Sequence, residues 1–316
     1  MTIAVVAVAS ACTMRVEGGA VAPVATPDPT NAVPTNAVST SVDPPPVGSA
    51  APPTPTTSST NSANSTNSTS TSTTSTTVSS EDSLRSSIYD VRPPSDLPAP
   101  ELPSGWTTAA VGTSVAGRDI TALVRHVASA RHTVVVIGGL HGNEPVAPPT
   151  VRGLVEAALP DDVAVWLVPE ANPDGVAAGT RWNDNGVDLN RNFSWWWSEL
   201  DGGPAPISEP ETQALTELID GLRPTIVVWV HQPYGYVSSI GATNPAFEQA
   251  WSTGSGTPVR SGVQQHGGGE SWTAFAAGLP SMLIEVGSWD ATQAITDAQR
   301  GGFEALVAAL DGAQGV

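Results

Sequence analysis

The chain has 316 residues and a formal net charge of −18, and arginine supplies all of its fixed positive charge because the sequence contains no lysine. An acidic chain without a basic cluster is a poor partner for nucleic acid or for an anionic membrane surface, because the phosphate groups repel it. The single cysteine, Cys12, excludes an internal disulfide framework and a cysteine-based zinc site.

Residues 1–17 are typical of an export signal. The run from Met1 to Ala11 is apolar but too short to cross a bilayer as a permanent helix. Residues 9–12, Ala-Ser-Ala-Cys, resemble a bacterial lipobox, in which cleavage leaves the cysteine as a lipidated N-terminus. Two features depart from that pattern: no Lys or Arg precedes the run, and Ala9 stands where a larger aliphatic residue is usual. We therefore expect an extracytoplasmic protein, either a lipoprotein anchored to the membrane only through Cys12 or a secreted protein cleaved nearby.

Residues 18–85 are rich in Ser, Thr, Pro and Asn, and the segment 64–73 contains only Asn, Ser and Thr. Such a composition buries too little apolar surface to offset the entropy of ordering, so we predict a disordered tether. As a flexible coil of about 60 residues, its ends would lie on the order of 45 Å apart. That length suits a domain held off a membrane within a cell-wall layer. Residues 86–316 then form one domain with a sizeable core.

This domain alternates strand-like and helix-like segments after a turn-rich opening at 111–120. Strands are predicted at 120–125, 133–137, 162–169, 225–230 and 280–287, where apolar and β-branched runs are bounded by turn residues. Helices are predicted at 148–159, from a proline in the first turn, at 208–221, from a capping box of Ser208 and Glu211, and at 295–310, from an amphipathic pattern. The alternation predicts an α/β domain with a largely parallel or mixed sheet covered on both faces.

Four residues with metal or acid–base chemistry follow predicted strands. His141 and Glu144 come just after the run that ends in Gly138 and Gly139, His231 ends the strand at 225–230, and Glu285 ends the last strand. Two imidazoles and one carboxylate form the ligand set that leaves a catalytic zinc one open position, and a nearby buried carboxylate has the chemistry of a general base. The alternatives are strand-end histidines satisfied within the core and a Glu285 that forms an ion pair.

Six segments, in this order, resemble the zinc carboxypeptidase family. They are Gly-Thr-Ser-x-x-Gly-Arg at 112–118, His-x-x-Glu at 141–144, Asn-Pro-Asp-Gly at 172–175, Gly-Val-Asp-Leu-Asn-Arg-Asn-Phe at 186–193, Ser-Glu-Pro-Glu-Thr at 208–212 and Ile-Glu-Val-Gly at 284–287. Within the family, the sequence is most similar to the bacterial peptidases that cleave γ-D-glutamyl-diaminopimelate bonds in murein peptides. The resemblance covers residues 104–316 and implies a single-domain α/β fold with a central, mixed, eight-stranded sheet and helices on both faces.

The resemblance also implies a role for each candidate site residue. His141, Glu144 and His231 would bind one zinc ion per chain, and Glu285 would act as general base and acid. In the polar loop at 179–193, Arg181 would polarise the scissile carbonyl and Asp188 would orient the first zinc histidine. The pair Asn190 and Arg191 would bind the terminal carboxylate of the substrate. The alternatives are a surface ion pair for Arg181 and a turn acid for Asp188.

Three further features of the sequence bear on the substrate. Many family members place a mobile tyrosine over the substrate, but no tyrosine follows Tyr236 here, so Gln264, Gln265 or His266 would take its place unless His266 is simply exposed. The family's specificity position falls on Glu270, whose carboxylate would attract a cationic side chain; the alternative is an exposed acid at a helix N-cap. Stacking on sugar or packing at the cleft edge would account for the three tryptophans at 195–197.

From these observations we expect a zinc-dependent carboxypeptidase that cleaves a peptide bond near a free carboxylate in cell-wall peptides. One alternative is a zinc amidohydrolase that resembles aspartoacylases and desuccinylases, which share the His-Gly-Asn-Glu and Asp-Leu-Asn-Arg signatures. Another is an inactive cell-wall-binding lipoprotein that retains the fold. The Asn-Pro-Asp-Gly segment and the export signal favour the peptidase, and the complete set of ligands and base argues against an inactive protein.

Overall fold

The computed structural model describes residues 88–312. The predicted signal at 1–17, including Cys12, and the whole predicted tether at 18–85 lie outside this part, as do residues 86, 87 and 313–316 of the predicted domain. Among the described residues, no helix is both long and apolar enough to cross a membrane.

The described part contains seven strands, six α-helices and two short 3-10 turns. The strands are β1 Trp106–Thr113, β2 Asp119–Arg125, β3 His132–Ile137, β4 Val163–Val168, β5 Ile226–His231, β6 Tyr236–Ile240 and β7 Ser281–Glu285. The helices are α1 Ala147–Gly153, α2 Pro173–Ala178, α3 Pro210–Leu222, α4 Pro245–Ser255, α5 Gly269–Phe275 and α6 Gln293–Ala309, with 3-10 turns at Leu154–Glu156 and Leu189–Arg191.

All seven strands form one mixed sheet in the order β1-β2-β4-β3-β5-β7-β6. The four central strands are parallel, and β2, β1 and β6 pair antiparallel at the two sides. The family resemblance implied eight strands, but the position beyond β6 holds only an isolated parallel bridge between Val237 and Val259. Pro258 has no N–H to donate and Gly262 turns the chain away with φ of +78°, so the pairing does not extend into a strand.

Helices cover both faces of the sheet, as the alternating pattern predicts. The central strands consist mainly of Val and Ile and are buried on both faces, which is typical of parallel strands. Side chains of α1, α4 and α6 pack on one face in a cluster that includes Val134, Trp251 and Phe303. Those of α3 and α5 pack on the other face in a cluster that includes Leu215 and Trp272. The C-terminal ends of β3, β5 and β7 consequently lie side by side and open to one edge of the sheet.

Two predicted helix features are wrong in detail. The helix predicted at 148–159 ends at Gly153 and continues only as a 3-10 turn. The predicted capping box is absent: the N-cap of α3 is Glu209, and the Ser208 hydroxyl instead bonds with Asn192 and Glu209. Asn192 supplies part of what the box was expected to supply, because its side-chain oxygen accepts a hydrogen bond from the Glu209 backbone N–H; it also accepts one from the Thr212 hydroxyl.

Candidate active site

Tight packing of glycines fixes the loop that follows β3. Gly139 has φ of +61°, and a Cβ there would lie 2.8 Å from the Pro169 carbonyl oxygen, so only glycine makes this turn. At Gly142, between the two candidate ligands, a Cβ would lie 1.8 Å from the carbonyl carbon of Gly175 in α2. The loop therefore lies directly against α2, and this contact sets the positions of His141 and Glu144.

His141, Glu144 and His231 converge into one buried group whose ligand atoms all lie within 4.8 Å of one another. Glu144 Oε1 is 2.7 Å from His141 Nδ1, Glu144 Oε2 is 3.0 Å from His231 Nδ1, and the two Nδ1 atoms are 3.2 Å apart. A tetrahedral zinc with bonds of 2.0–2.1 Å holds its donor atoms roughly 3.3–3.4 Å apart, so outward shifts of a few tenths of an ångström would bring these donors to the distances that the ion requires. A shared cation also explains why two imidazole nitrogens face each other.

Asp188 supports this group from behind. One of its oxygens lies 3.0 Å from His141 Nε2, and the other accepts a hydrogen bond from Arg181 Nε at 2.8 Å. With Nε2–H directed at the carboxylate, the Nδ1 lone pair of His141 is free for a metal. His231 has no equivalent support, because its buried Nε2 has no hydrogen-bond partner among the described residues.

The charges of the group also favour a bound cation. Burial alone would raise the pKa of Glu144, but the two adjacent imidazoles outweigh it and lower this pKa to about 2. Burial likewise opposes protonation of His231, but the Glu144 carboxylate raises its pKa to about 9. In the metal-free protein, a proton on His231 thus supplies the positive charge that a metal ion would bring.

Glu285 faces this group from the neighbouring strand. It ends β7 and is the register partner of His231 at the end of β5. Its carboxylate is buried and accepts one long hydrogen bond, 3.4 Å, from the Tyr234 backbone N–H. Burial raises its pKa to about 8. A carboxyl group in this setting exchanges protons near neutral pH, as a general base or acid must.

A second cluster of polar side chains lies around Arg191. Asn190 is held by the Gly269 backbone N–H, which donates to its side-chain oxygen at 2.8 Å. The Gln265 side-chain oxygen, when it faces the guanidinium, accepts from Arg191 Nη2 at 2.5 Å and Nη1 at 3.1 Å. Glu270 is 1% exposed, and its Oε2 has no hydrogen-bond partner in the described structure. Burial raises the pKa of Glu270, so this carboxyl group gains from any cation that enters.

These side chains share one cavity of about 440 Å³. Every candidate site residue lines it except Asp188, which lies behind His141. Sequence reasoning missed Ile88, Tyr89, Gln232, Tyr234, Tyr236, Val263 and Leu283, which also line it. The nearness of Gln232, Tyr234 and Tyr236 to the candidate ligand His231 was a usable signal, but no local pattern marks Ile88 or Tyr89.

Two alternatives from the sequence, for Arg181 and Glu270, are wrong, and the one for Asp188 is correct but incomplete. Arg181 is not a surface ion pair, since it is 6% exposed and its Nη1 lies 3.3 Å from His141 Nδ1. Asp188 does cap the 3-10 turn at Leu189–Arg191, but the same carboxylate also reaches His141 and Arg181. Glu270 is not exposed, because it lies buried in the first turn of α5.

The structure also shows where two other features lie: the residues expected to replace the missing tyrosine, and the three tryptophans at 195–197. Gln265 lines the cavity, whereas Gln264 and His266 are exposed. The Trp195 ring stacks on Trp196 and on Phe275, and Trp197 Nε1 donates to the Gly202 carbonyl. None of the three tryptophans lines the cavity, so packing describes them better than contact with a substrate in it.

Comparison with known proteins agrees with this geometry. The family model described as zinc carboxypeptidase matches residues 99–240. Murein peptide amidase A of Escherichia coli K12 is 36% identical over 124 residues, which cover 34% of this chain and 51% of that protein. A metallocarboxypeptidase A-like protein of Trichophyton verrucosum is 30% identical over 238 residues, which cover 53% of this chain and 56% of that protein. The chain thus spans about half the length of these curated relatives.

Solved structures extend the likeness to the fold. The murein-tripeptide amidase MpaA from Escherichia coli O157 has a TM-score of 0.51 at 26% identity, over 66% of this chain and 92% of that one. A metallo-carboxypeptidase from Burkholderia cenocepacia has a TM-score of 0.55 at 20% identity, over 67% of this chain and 66% of that one. The described domain has the carboxypeptidase fold with a His-Glu-His group fit for zinc, and its residues 99–240 match the zinc carboxypeptidase family model.

Proposed function

We propose that this protein is a zinc-dependent hydrolase of the carboxypeptidase type, which cleaves an amide bond beside a free carboxylate in short cell-wall peptides. The observation that carries the proposal is the cavity itself. One space of about 440 Å³ is lined by the metal-binding group, by the buried acid Glu285 and by the pair Asn190 and Arg191. Hydrolysis of a peptide end requires these three parts together.

His141, Glu144 and His231 would hold the zinc. The bound ion lowers the pKa of water and polarises a carbonyl group. Glu285 removes a proton from the attacking water and then donates it to the nitrogen of the leaving amine, so that the C–N bond breaks and a carboxylate and an amine are released. Its pKa, raised by burial, suits both halves of this transfer.

Arg181 stabilises the negative charge that develops on the carbonyl oxygen. Its Nη1 lies beside His141 and 4.0 Å from Glu144, so it faces the reacting centre, while Nε is fixed by Asp188. A positioned donor of this kind is worth roughly 3–4 kcal/mol in the transition state. Because the guanidinium is held in place before substrate arrives, little energy is spent on reorganising it.

Three further residues bind the released end of the substrate. Asn190 and Arg191 would bind its terminal carboxylate, Arg191 through the planar fork of its guanidinium. Glu270, buried and with an oxygen that lacks a partner, would accept an ammonium group on the side chain. Diaminopimelate offers both a terminal carboxylate and a side-chain ammonium. The relatives named murein peptide amidase support a peptide of this class.

The site of action follows from the sequence rather than from the described structure. The segment at 1–17 favours export, and the segment at 18–85 favours a tether to a membrane or passage into a wall layer. We therefore place the protein outside the cytoplasm, where cell-wall peptides are accessible, with Cys12 as the lipid attachment point if it is anchored.

Three outcomes separate the functions. The zinc-loaded protein and its Glu285→Gln variant would be incubated with murein tripeptides and tetrapeptides and with N-acylated amino acids. Release of diaminopimelate by the wild type, reduced at least about 10³-fold in the variant, supports the proposal. Turnover of the acylated amino acids alone would favour the amidohydrolase alternative. Zinc binding without any turnover would favour a binding protein.

Glu270→Gln tests the substrate side chain. Removing the charge is expected to lower kcat/KM by roughly 10–100-fold for substrates that end in lysine or diaminopimelate, the value of a charge-assisted hydrogen bond, and by much less for neutral ones. Glu217→Gln, an exposed change on α3, is the matched control. Equal losses on cationic and neutral substrates would rule out this role.

A further inference from the structure

Residues 88–92 lie against the cavity, although they precede the segment that matches the family. We call these five residues the N-terminal arm. Ile88 and Tyr89 line the cavity directly. Tyr89, Tyr234 and Tyr236 are the only tyrosines in the sequence, and all three line this cavity.

The arm is held by the loop that carries the candidate metal ligands. Asn143 lies between His141 and Glu144, is fully buried, and donates from Nδ2 to the carbonyl oxygens of Ile88 at 2.7 Å and Asp90 at 2.8 Å. One amide group thus makes two hydrogen bonds to the arm. The residue between the two candidate ligands thus uses its side chain to fix a segment of chain more than 50 positions earlier.

Two further contacts hold the other end of the arm. The Arg92 backbone N–H donates to the Gly179 carbonyl at 2.8 Å, and a Cβ at Gly179 would lie 2.1 Å from the Arg92 carbonyl oxygen. The Arg92 guanidinium lies 3.5 Å from the centre of the Trp289 ring, which follows β7. Contacts at 143, 179 and 289 come from three separate loops, so the arm is fixed at both ends.

Tyr89 projects from this fixed backbone beside the catalytic groups. Its ring stacks on Trp182 with centroids 5.9 Å apart and an interplanar angle of 16°, and the Arg181 guanidinium lies 5.8 Å from its centre. The side chain is nevertheless 56% exposed. An aromatic ring that is held by stacking, lines a cavity and is more than half exposed is suited to contact with a ligand.

The arm and the residues around Arg191 line the same cavity but contact different parts of the domain. Its hydrogen bonds and ring contacts go to Asn143, Gly179, Arg181, Trp182 and Trp289, whereas Asn190, Arg191, Gln265 and Glu270 contact one another around α5. A substrate whose terminal carboxylate is bound by Arg191 and whose scissile carbonyl lies at Arg181 must extend its acyl part past Arg181. Tyr89 lines the cavity next to Arg181, whose guanidinium lies 5.8 Å from the centre of its ring.

We propose, on the basis of the function proposed above, that the N-terminal arm forms the wall for the acyl part of the substrate. Tyr89 positions an acyl part of one or two residues beside Arg181, and the arm obstructs longer ones. The enzyme would therefore select short, free peptides over long peptides that end in the same residue. Tyr89 acts through binding and positioning and takes no part in the proton transfers.

The test uses the full-length, zinc-loaded protein and peptides that share a C-terminal diaminopimelate or lysine but have acyl parts of one, two or four residues. The wild type is expected to prefer the shorter ones by at least about tenfold in kcat/KM. Tyr89→Ala should raise KM for the shorter peptides about 5–20-fold and leave kcat within about twofold, because it removes binding that is equally strong in the ground state and the transition state. It should also reduce the preference for short acyl parts at least about fivefold. Tyr89→Phe should retain most of the preference.

Two variants complete the comparison. Arg92→Gln keeps the tyrosine but loosens the arm from Trp289, so it should reproduce the reduced preference. Val91→Ala is the matched control, because Val91 belongs to the arm, is 71% exposed and does not line the cavity. A wild type without preference for acyl length, or a Tyr89→Ala protein that behaves like Val91→Ala, would overturn the proposal.

Binding without turnover separates this proposal from the proposed function. In a Glu285→Gln background, calorimetry would give Kd for the same peptides with and without Tyr89→Ala. A Kd that rises about 5–20-fold for short acyl parts supports the role of the arm even if the wild type hydrolyses none of them. A Kd that Tyr89→Ala leaves unchanged refutes it, even if the wild type hydrolyses these peptides. Absence of binding and of turnover for all of them would overturn both proposals.

Discussion

Asp188 divides its two oxygens between His141 and Arg181. The candidate metal ligand and the candidate oxyanion donor are thereby positioned by one carboxylate. Burial opposes ionisation of Asp188, but Arg181 and His141 hold its pKa well below its usual range, so the carboxylate is charged at neutral pH. Loss of this single residue should disturb metal binding and transition-state binding together.

Zinc binding should release a proton from His231. Because the Glu144 carboxylate raises the pKa of His231 to about 9, this histidine is protonated in the metal-free protein at pH 7, and a metal must displace that proton. Apparent zinc affinity should therefore rise about tenfold per pH unit from pH 6 to pH 8. The measurement is calorimetry in buffers of different ionisation enthalpy.

Glu285 also has a raised pKa, so the cleanest version of this experiment uses the Glu285→Gln variant. There we expect release of about one proton per zinc at pH 7. Affinity that is independent of pH over this range would show that His231 is neutral before the metal arrives.

Sequence reasoning located those site residues that combine a chemically distinctive side chain with a position at the end of an apolar run. His141, Glu144, His231 and Glu285 each follow a strongly apolar run, so parallel strands bring them to one edge of the sheet without any long-range information. Tyr89 reaches the same cavity because Asn143 donates hydrogen bonds to the carbonyls on either side of it, Ile88 and Asp90, and these bonds depend on how distant segments pack. A single sequence carries no local sign of such contacts.

Among the elements, the loop after β3 and helix α2 pack as one unit through Gly142 and Gly175. A methyl group at position 142 would overlap the Gly175 backbone, with 1.8 Å between carbons. Gly142→Ala should therefore destabilise the protein by about 1–3 kcal/mol or more and weaken zinc binding, because His141 and Glu144 must move with the loop. Urea unfolding and chelator competition would measure the two effects.

Gly221→Ala is the matched control for this change. Gly221 lies in α3 with no atom within 4 Å of an added Cβ, so the same substitution should stabilise the protein by about 0.5–1 kcal/mol through helix propensity. If Gly142→Ala were tolerated as well as Gly221→Ala, the loop and α2 would have to be packed more loosely than described.

The elements that sequence reasoning found are the ones with a strong pattern. The buried strands β3, β4, β5 and β7 and the long helix α6 lie within a few residues of their predicted bounds. Strand β1 was missed because it is partly exposed along its length and merges with the turn-rich segment. Strand β6 has only five residues between two glycine turns. Helix α4 did carry local signals, with Asn244 as N-cap and Pro245 in its first turn.

The protein carries a net charge of −18, and several of its buried carboxyl groups lie together in the cavity. Glu144, Glu270 and Glu285 all line it, and only the histidines and two arginines oppose them. Removal of zinc should therefore lower the unfolding temperature. At a free zinc concentration of about 1,000 times Kd, the stabilisation is roughly 4 kcal/mol, or about 8–16 °C for a domain of this size. Calorimetric scans with and without a chelator would measure the shift.

A Glu144→Gln variant separates metal loss from other effects of the chelator. Its unfolding temperature should be insensitive to chelation, because the metal group has lost its carboxylate ligand. An equal shift in the wild type and in this variant would place the stabilising metal elsewhere.

The overall architecture followed from the alternation of apolar strands and helices, since parallel strands must be covered on both faces. The count of eight strands did not follow, because it depends on whether the edge beyond β6 extends past Pro258. Export and attachment through Cys12 stay predictions from the sequence.

The two hydrogen bonds from Asn143 to the N-terminal arm also have a mechanical consequence. Any pull applied to the chain from its amino-terminal side enters the described domain at residue 88, and the Asn143 amide holds the carbonyls at 88 and 90. Tension would therefore reach the peptide units beside His141 and Glu144 before it reached the sheet. If the chain is tethered as we infer, a force on the tether would act directly on the loop that positions the metal ligands.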